Sequence, residues 1–416
     1  MIRKIIFVGD LLRFQGNQTG FANRSLLWEY NLFKEQIYQA TGLVPEVYCT
    51  DTPENFDVKK FYELCGYELS TENWINIVCG IYTDDAREYV RECFQDALVI
   101  TQVGGSFKRI FDELNIPYID IYVSAIKFCD DLYLGFRSDD EAISKKISNY
   151  RISEESLYLY AGYVKAFYAA RPKKLDLEKN SLLLCGQNNV DLALIKDDTI
   201  ISFLHYKEEI ENLLSKYKTV YYKPHPLAKA NNDNENFIMS FDNVELINEN
   251  FYRLMSMDEI MDVAALSSGT LMEAKYFGKK SIYISHKFVN YCFGEEWQKD
   301  DFMIVDRSYY SPKFWADVLS GIMDTNKDCI DFSFERKHNL LRNSLGTIWG
   351  YEIEPLGVRI DADLKNIQNW FTHERDVLSN ELVSVKKGTI THKVKKIIAC
   401  FIPSRKLRRK IRGDHD

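Results

Sequence analysis

Three short segments of the 416-residue sequence hold residue types that can bind an anion or bring a carboxylate to a reaction. Tyr221-Tyr222-Lys223-Pro224-His225-Pro226 closes an apolar run, and its two prolines withhold backbone donors and stop a helix from starting, so His225 is expected in a stiff turn. Lys223 offers a point charge and His225 a donor that charges near neutral pH, a pair able to meet a phosphate. Standing alone, a His-Pro turn is more often a plain turn whose histidine bonds a neighbouring carbonyl. About 40 residues later, Asp262–Leu266 runs into Ser267-Ser268-Gly269-Thr270 and a helix expected to reach Phe277 and stop at Gly278. Free N–H groups at that helix start, with the hydroxyls, can hold an anion without a metal, and Glu273 can accept from a ribose hydroxyl. Taken alone, this segment is ordinary N-capping. The third segment, Gln187-Asn188-Asn189-Val190-Asp191, follows an expected strand at Ser181–Cys185. Asp191 stands where a carboxylate would face a cleft, and the amides can bond a sugar acid or orient that carboxylate. An Asn-rich loop with Asp191 as a helix N-cap is the simpler alternative.

The elements that must position these residues alternate in type. Strands are expected at Lys4–Gly9, Asn76–Tyr82, Ala97–Val103 and Pro117–Val123, with amphipathic stretches such as Arg24–Ala40 between them. After a polar, proline-containing segment at 170–180 the rhythm restarts at Ser181–Cys185, Thr219–Lys223, Val244–Ile247, Val263–Leu266, Ser281–Ser285 and Phe302–Val305. The expected fold class is α/β: two Rossmann-like αβα domains facing a cleft, where open α/β folds bind ligands at the carboxyl ends of their strands. The expected domains are 1–172, 180–380 with last helices able to pack back on the first, and a basic tail at 381–416.

Composition agrees with a globular chain, at 46% apolar, 14% aromatic and 27% charged residues. A formal charge of −8 argues against a chain-wide nucleic-acid surface. Residues 381–416 nevertheless carry eleven Lys and Arg against three Asp and Glu. Basic and apolar residues interleave from Thr391 to Arg412, which suits an interfacial helix on anionic lipid. Nine cysteines without a CxxC pair read as reduced core residues, the N-terminal apolar run is shorter than a signal sequence, and no stretch approaches a membrane span, so a cytoplasmic protein is expected. The pairs Asp84-Asp85, Asp130-Asp131, Asp139-Asp140, Asp197-Asp198 and Asp300-Asp301 read as solvated helix ends, with no metal site. Gly9–Gly20, rich in glycine and amides, suits a carbohydrate acceptor or a tight connection.

Together the three segments resemble the bacterial surface-polysaccharide glycosyltransferases that use CMP-activated acidic sugars, above all the retaining β-Kdo transferases of capsule and O-antigen synthesis. The resemblance spans roughly residues 100–285. It rests on Gln187–Asp191, Lys223–Pro226, and Ser267–Thr270 with Glu273-Ala274 and Gly278, and extends to Asp120–Phe128 and Leu134–Ser138. It implies a GT-B fold whose first domain takes the acceptor and whose second takes the CMP-sugar, catalytic roles for Asp191 (nucleophile), Gln187 and His225, and donor contacts from Lys223, His225, Pro226, Ser267, Ser268, Gly269, Thr270 and Glu273. The implied donor is CMP-Kdo with no metal or other cofactor, and the implied acceptor is a glycan or lipid-linked glycan. The implied location is the inner face of the inner membrane, reached through the basic tail. Tyr133-Leu134 stand where related capsule enzymes carry an acidic pair, so Asp120 and Asp131 are the candidates for the N-terminal acid/base, each also an ordinary carboxylate. Two alternatives remain: an inverting transferase of the CMP-sialic-acid type with Asp191 as base, and a non-catalytic sugar- or nucleotide-binding protein.

Overall fold

The run Lys4–Val8 forms a strand whose last four residues are wholly buried, as a central strand in a helix-covered parallel sheet must be. It lies between Glu46–Tyr48 and Ala97–Gln102, parallel to both, and Tyr118–Val123 extends the parallel set. Leu134–Ser138 then pairs antiparallel with Tyr118–Val123, which sets Arg137 opposite Asp120. A second sheet is wholly parallel, in the order Val244–Leu246, Val220–Lys223, Ser181–Cys185, Ile260–Ala265, Lys280–Tyr283. The computed structural model describes residues 2–350 apart from 16–17, 20–22, 103–104, 171–174, 189–190, 227, 229–231, 332–337 and 348–349. The basic tail and residues 171–174 of the 170–180 segment thus lie outside the described residues. All the described residues belong to one unit, Met1–Val358, and no helix among them is long and apolar enough to cross a membrane.

Two strand expectations fail. Asn76–Tyr82 is not a strand, because a helix occupies Thr71–Val78, capped by Ser70, whose hydroxyl accepts from the Asn73 N–H at 3.0 Å. Trp74, Ile75 and Ile77 bury one face of that helix, and the Ile-Val run that suggests a strand is its second half. Phe302–Val305 is a strand, but of the first sheet: Asp301–Val305 pairs antiparallel with Leu134–Ser138, and Asn290–Tyr291 completes a seven-stranded sheet. An apolar run buried on both faces carries no mark of which sheet it joins. The helix Pro312–Leu319 follows it back, packing Trp315 against Phe33 of the helix Asn23–Thr41 with ring centroids 5.2 Å apart.

In each sheet the chain order reverses once among the parallel strands, between Lys4–Val8 and Ala97–Gln102 in the first and between Ser181–Cys185 and Ile260–Ala265 in the second. Loops leaving the strands on either side of such a point diverge and open a crevice. The loops at both points line one cleft.

Among the described residues no disulfide joins the eight cysteines present, and Cys49, Cys65, Cys129, Cys185 and Cys292 are buried. The acidic pairs are only partly solvated helix ends. Asp84 opens the helix Asp84–Cys93 and Asp140 caps Glu141–Ile147, as expected. Asp131 departs from that: it is buried, and accepts from the N–H groups of Leu132, Leu341 and Arg342 to cap the helix Leu340–Leu345.

Candidate functional site

Cys185 ends its strand in Gly186, where a Cβ would lie 2.8 Å from the Tyr222 hydroxyl and 3.1 Å from the His225 nitrogen. Glycine thus lets the Lys223–Pro226 turn lie directly over the first loop. Asp191 caps the short helix Leu192–Leu194, Oδ1 accepting from the Ala193 N–H at 3.1 Å. The capping alternative is therefore part of the answer, and the cap also fixes the carboxylate's orientation. Asp191 is exposed and borders two adjoining cavities of about 270 and 340 Å³, which share His225, Ser268, Gly269 and Tyr122. The larger adds Lys127, Lys223, Pro226, Thr270 and Glu273, and the smaller adds Asp10, Arg13, Gln102 and Gln187. Gln187, Asp191, Lys223, His225, Pro226, Ser267, Ser268, Gly269, Thr270 and Glu273 all line this cleft, whereas Asn189 and Val190 lie outside the described residues.

Their tasks divide differently from the expectation. Gln187 spends both ends of its amide on Ser267: Oε1 accepts from the Ser267 N–H at 2.7 Å and Nε2 donates to its hydroxyl at 3.3 Å. That hydroxyl in turn donates to the Ala193 carbonyl. Ser267 is 4% exposed and ties the Asp191 loop to the end of Ile260–Ala265, so its side chain clamps the two strand-end loops where they line the cleft. The helix beyond is only Thr270–Ala274, continued by one tighter turn to Phe277 and ended by Gly278 at φ 78°. Its first N–H groups are already used, Thr270 on the Ser268 hydroxyl, Leu271 on the Ser268 carbonyl, and Met272 and Glu273 on the Gly269 carbonyl. The helix-start anion site is therefore not available from those groups. Glu273 is buried, and its Oε1 accepts from the Lys127 N–H at 2.7 Å and the Tyr252 hydroxyl at 3.1 Å, which holds the two halves of the cleft together and replaces the expected ribose contact at that oxygen.

Burial pushes the His225 pKa down to about 4, with Lys127 and Lys223 adding to the fall and the Asp191 carboxylate opposing it. The imidazole is thus neutral at neutral pH, and the expected cation pair reduces to Lys223 beside a neutral donor. A second cation comes from Lys127, whose pKa burial lowers while Glu273 and Asp191 hold it up. Lys127 lies within the Asp120–Phe128 element, and only its place beside Asp191 reveals it.

Neither N-terminal acid/base candidate reaches the cleft. Asp120 has no exposure, and Oδ2 accepts from Arg137 Nη2 at 2.6 Å and Nε at 2.9 Å. Asp131 is spent on the helix cap described above. The carboxylate of the first half that lines the cleft is Asp10, a residue the acceptor-loop reading passes over.

The halves touch at Gly269, where a Cβ would sit 2.8 Å from the Ala125 Cβ. The Ala125 loop cannot easily yield, because its own N–H donates to the Tyr291 hydroxyl at 2.8 Å and the Lys127 N–H is held by Glu273. Gly269→Ala is expected to lower stability by about 1–3 kcal/mol through overpacking. Urea unfolding should show the loss, and adding Ala125→Gly should recover most of it; a single variant as stable as wild type would discount the contact.

By sequence the chain matches no protein-family model and no curated protein. Among solved structures it is similar to the KpsC β-Kdo 2,7 transferase of Thermosulfurimonas dismutans, at 14% identity and TM-score 0.32 over 61% of this chain and 88% of that one. It is similar to the KpsC β-Kdo 2,4 transferase of the same organism, at 15% identity and TM-score 0.30 over 53% of this chain and 78% of that one. A third is the UDP-GlcNAc 2-epimerase of Methanocaldococcus jannaschii, at 12% identity and TM-score 0.24 over 68% of this chain and 83% of that one. Likenesses of this extent assign no activity.

Proposed function

We propose that this chain is a glycosyltransferase that moves an acidic sugar, Kdo before others, from its CMP donor to a glycan or lipid-linked glycan acceptor. The observation that carries the reading is the convergence of Asp191, His225, Lys223 and Lys127 on one cleft built by strand-end loops. A CMP-activated sugar acid presents two negative charges, one phosphate and one carboxylate, and two lysines beside a histidine donor suit that pair. A single leaving phosphate can be stabilised by these side chains alone, so the proposed chemistry needs no divalent cation.

In the proposed sequence an Asp191 oxygen bonds to the anomeric carbon as the bond to the phosphate oxygen breaks. The acceptor oxygen then displaces the carboxylate, and two inversions give retention. Incubation with CMP-Kdo, CMP-sialic acid and UDP-sugars in EDTA tests the reading, with release of the nucleotide measured with and without acceptor. Release of CMP from an acidic-sugar donor is expected; release from UDP-sugars alone would overturn the donor class, and no release from any donor would leave a binding protein.

His225 supplies a sharper expectation. Its pKa of about 4 rises when a phosphate binds beside it, so between the two values the complex holds one more proton than the free protein. CMP affinity should therefore increase as pH falls from about 7 toward 5, with proton uptake visible by calorimetry in buffers of different ionisation enthalpy. His225→Ala should weaken CMP binding roughly tenfold and leave only the pH dependence of the CMP phosphate itself, whose second pKa is about 6. An unchanged affinity and slope would return His225 to a turn-forming role.

A further inference from the structure

We propose that Asp10 removes the proton from the acceptor hydroxyl, with Oδ2 as the accepting atom; the proposal rests on the transferase reading above. Asp10 follows Lys4–Val8 at the chain-order reversal of the first sheet and lines the same 270 Å³ cavity as Asp191 and His225. It is 4% exposed, yet only one of its oxygens is satisfied. Oδ1 accepts from the Ser106 N–H at 3.1 Å and the Ser106 hydroxyl at 2.7 Å, and that hydroxyl accepts from Trp74 Nε1 at 2.9 Å. Gly105, at φ +46°, admits the carboxyl, because a Cβ there would lie 2.6 Å from Asp10 Cγ.

Oδ2 is buried without a hydrogen-bond partner among the described residues. A buried carboxyl oxygen in that state is costly unless it carries a proton or meets a donor that a ligand brings. Burial raises the Asp10 pKa, with the Ser106 bonds, Arg13 and the Trp74 N–H opposing, which moves the group toward the working range of a general base. The rival carboxylates of the first half, Asp120 and Asp131, are engaged elsewhere.

The step balances without a co-reactant. The acceptor O–H bond breaks as its oxygen bonds to the anomeric carbon and the ester bond to Asp191 opens. The proton passes to Asp10 Oδ2 and then to water, and Asp191 leaves as a carboxylate. Two carboxylates on one cavity then serve separate halves of the reaction.

Asp10→Asn keeps an oxygen for Ser106 and loses the base. With a CMP-sugar that wild type turns over, it is expected to release one CMP per enzyme in a burst, retain the sugar on Asp191, and slow acceptor-dependent turnover about a hundredfold or more. Azide needs no deprotonation, so it should restore multiple turnover and yield a glycosyl azide. Ser106→Ala, which removes one hold on the carboxyl, should slow the acceptor step several-fold and leave the burst intact. The proposal is overturned if Asp10→Asn turns over within about threefold of wild type. It is equally overturned if that variant loses the burst, if azide fails to rescue it, or if Ser106→Ala matches wild type. Failure of the wild-type enzyme with every donor refutes the transferase reading itself, and with it any role for Asp10 as a base.

Discussion

Asp191→Asn is expected to keep its fold and its affinity for CMP yet turn over donor at least about a thousandfold more slowly, a loss near 4 kcal/mol in transition-state stabilisation. The substitution is close to isosteric, and the amide oxygen can still accept from the Ala193 N–H, so the cap on Leu192–Leu194 survives. What disappears is the negative charge and the nucleophilic oxygen. Wild-type enzyme given donor and a slow acceptor should accumulate a species heavier by one sugar residue, mapped by mass spectrometry to the peptide containing Asp191. The variant should not. Product configuration read by NMR is the independent arm: a retained anomer agrees with two displacements, whereas an inverted one removes the nucleophile assignment and leaves Asp191 a base or merely a cap. His225 reports on the same charge, because Asp191 holds its pKa up. In the asparagine variant the pH dependence of CMP binding should therefore move to lower pH.

The parts of this arrangement legible in the sequence are those governed by local pattern. Ser181–Cys185, Val220–Lys223 and Lys4–Val8 are buried runs between polar turns, so their ends, and the segments that follow them, can be found by inspection. The loss of Asn76–Tyr82 to a helix shows where pattern fails: the Ser70 cap lies outside the apolar run, and the run alone is equally apolar in either state. Long-range pairing is beyond any local reading. Glu273 meets Lys127 across 146 positions, Gln187 meets Ser267 across 80, and Asp10 meets Ser106 across 96. Those three contacts decide which side chains remain for a ligand and which are consumed in holding the cleft. A lone Asp10 or Lys127 has no spacing signature, because what distinguishes it is burial and company. The return of Asp301–Val305 to the first sheet is hidden for the same reason.

Arg137→Ala is expected to cost about 3–5 kcal/mol of stability, the usual consequence of leaving a buried charge without its partner. Asp120 has no exposure and Arg137 only 12%, so solvent cannot take over the carboxylate. The guanidinium also donates to the Asp300 carbonyl at 3.3 Å and lies 4.3 Å over the Phe302 ring, so the variant further loosens the strand that returns to this sheet. Replacing both partners with apolar residues, as in Asp120→Val with Arg137→Leu, should recover much of the loss, because the desolvation of two charges disappears with the pair. Urea midpoints at unchanged m-value would measure both. The comparison separates structure from chemistry at the position the sequence offers as an acid/base. If Asp120 holds the sheet, Asp120→Asn lowers the midpoint, and the folded fraction keeps the wild-type rate. A variant with wild-type stability and lost turnover would reverse that assignment, moving the proton transfer from Asp10 to Asp120.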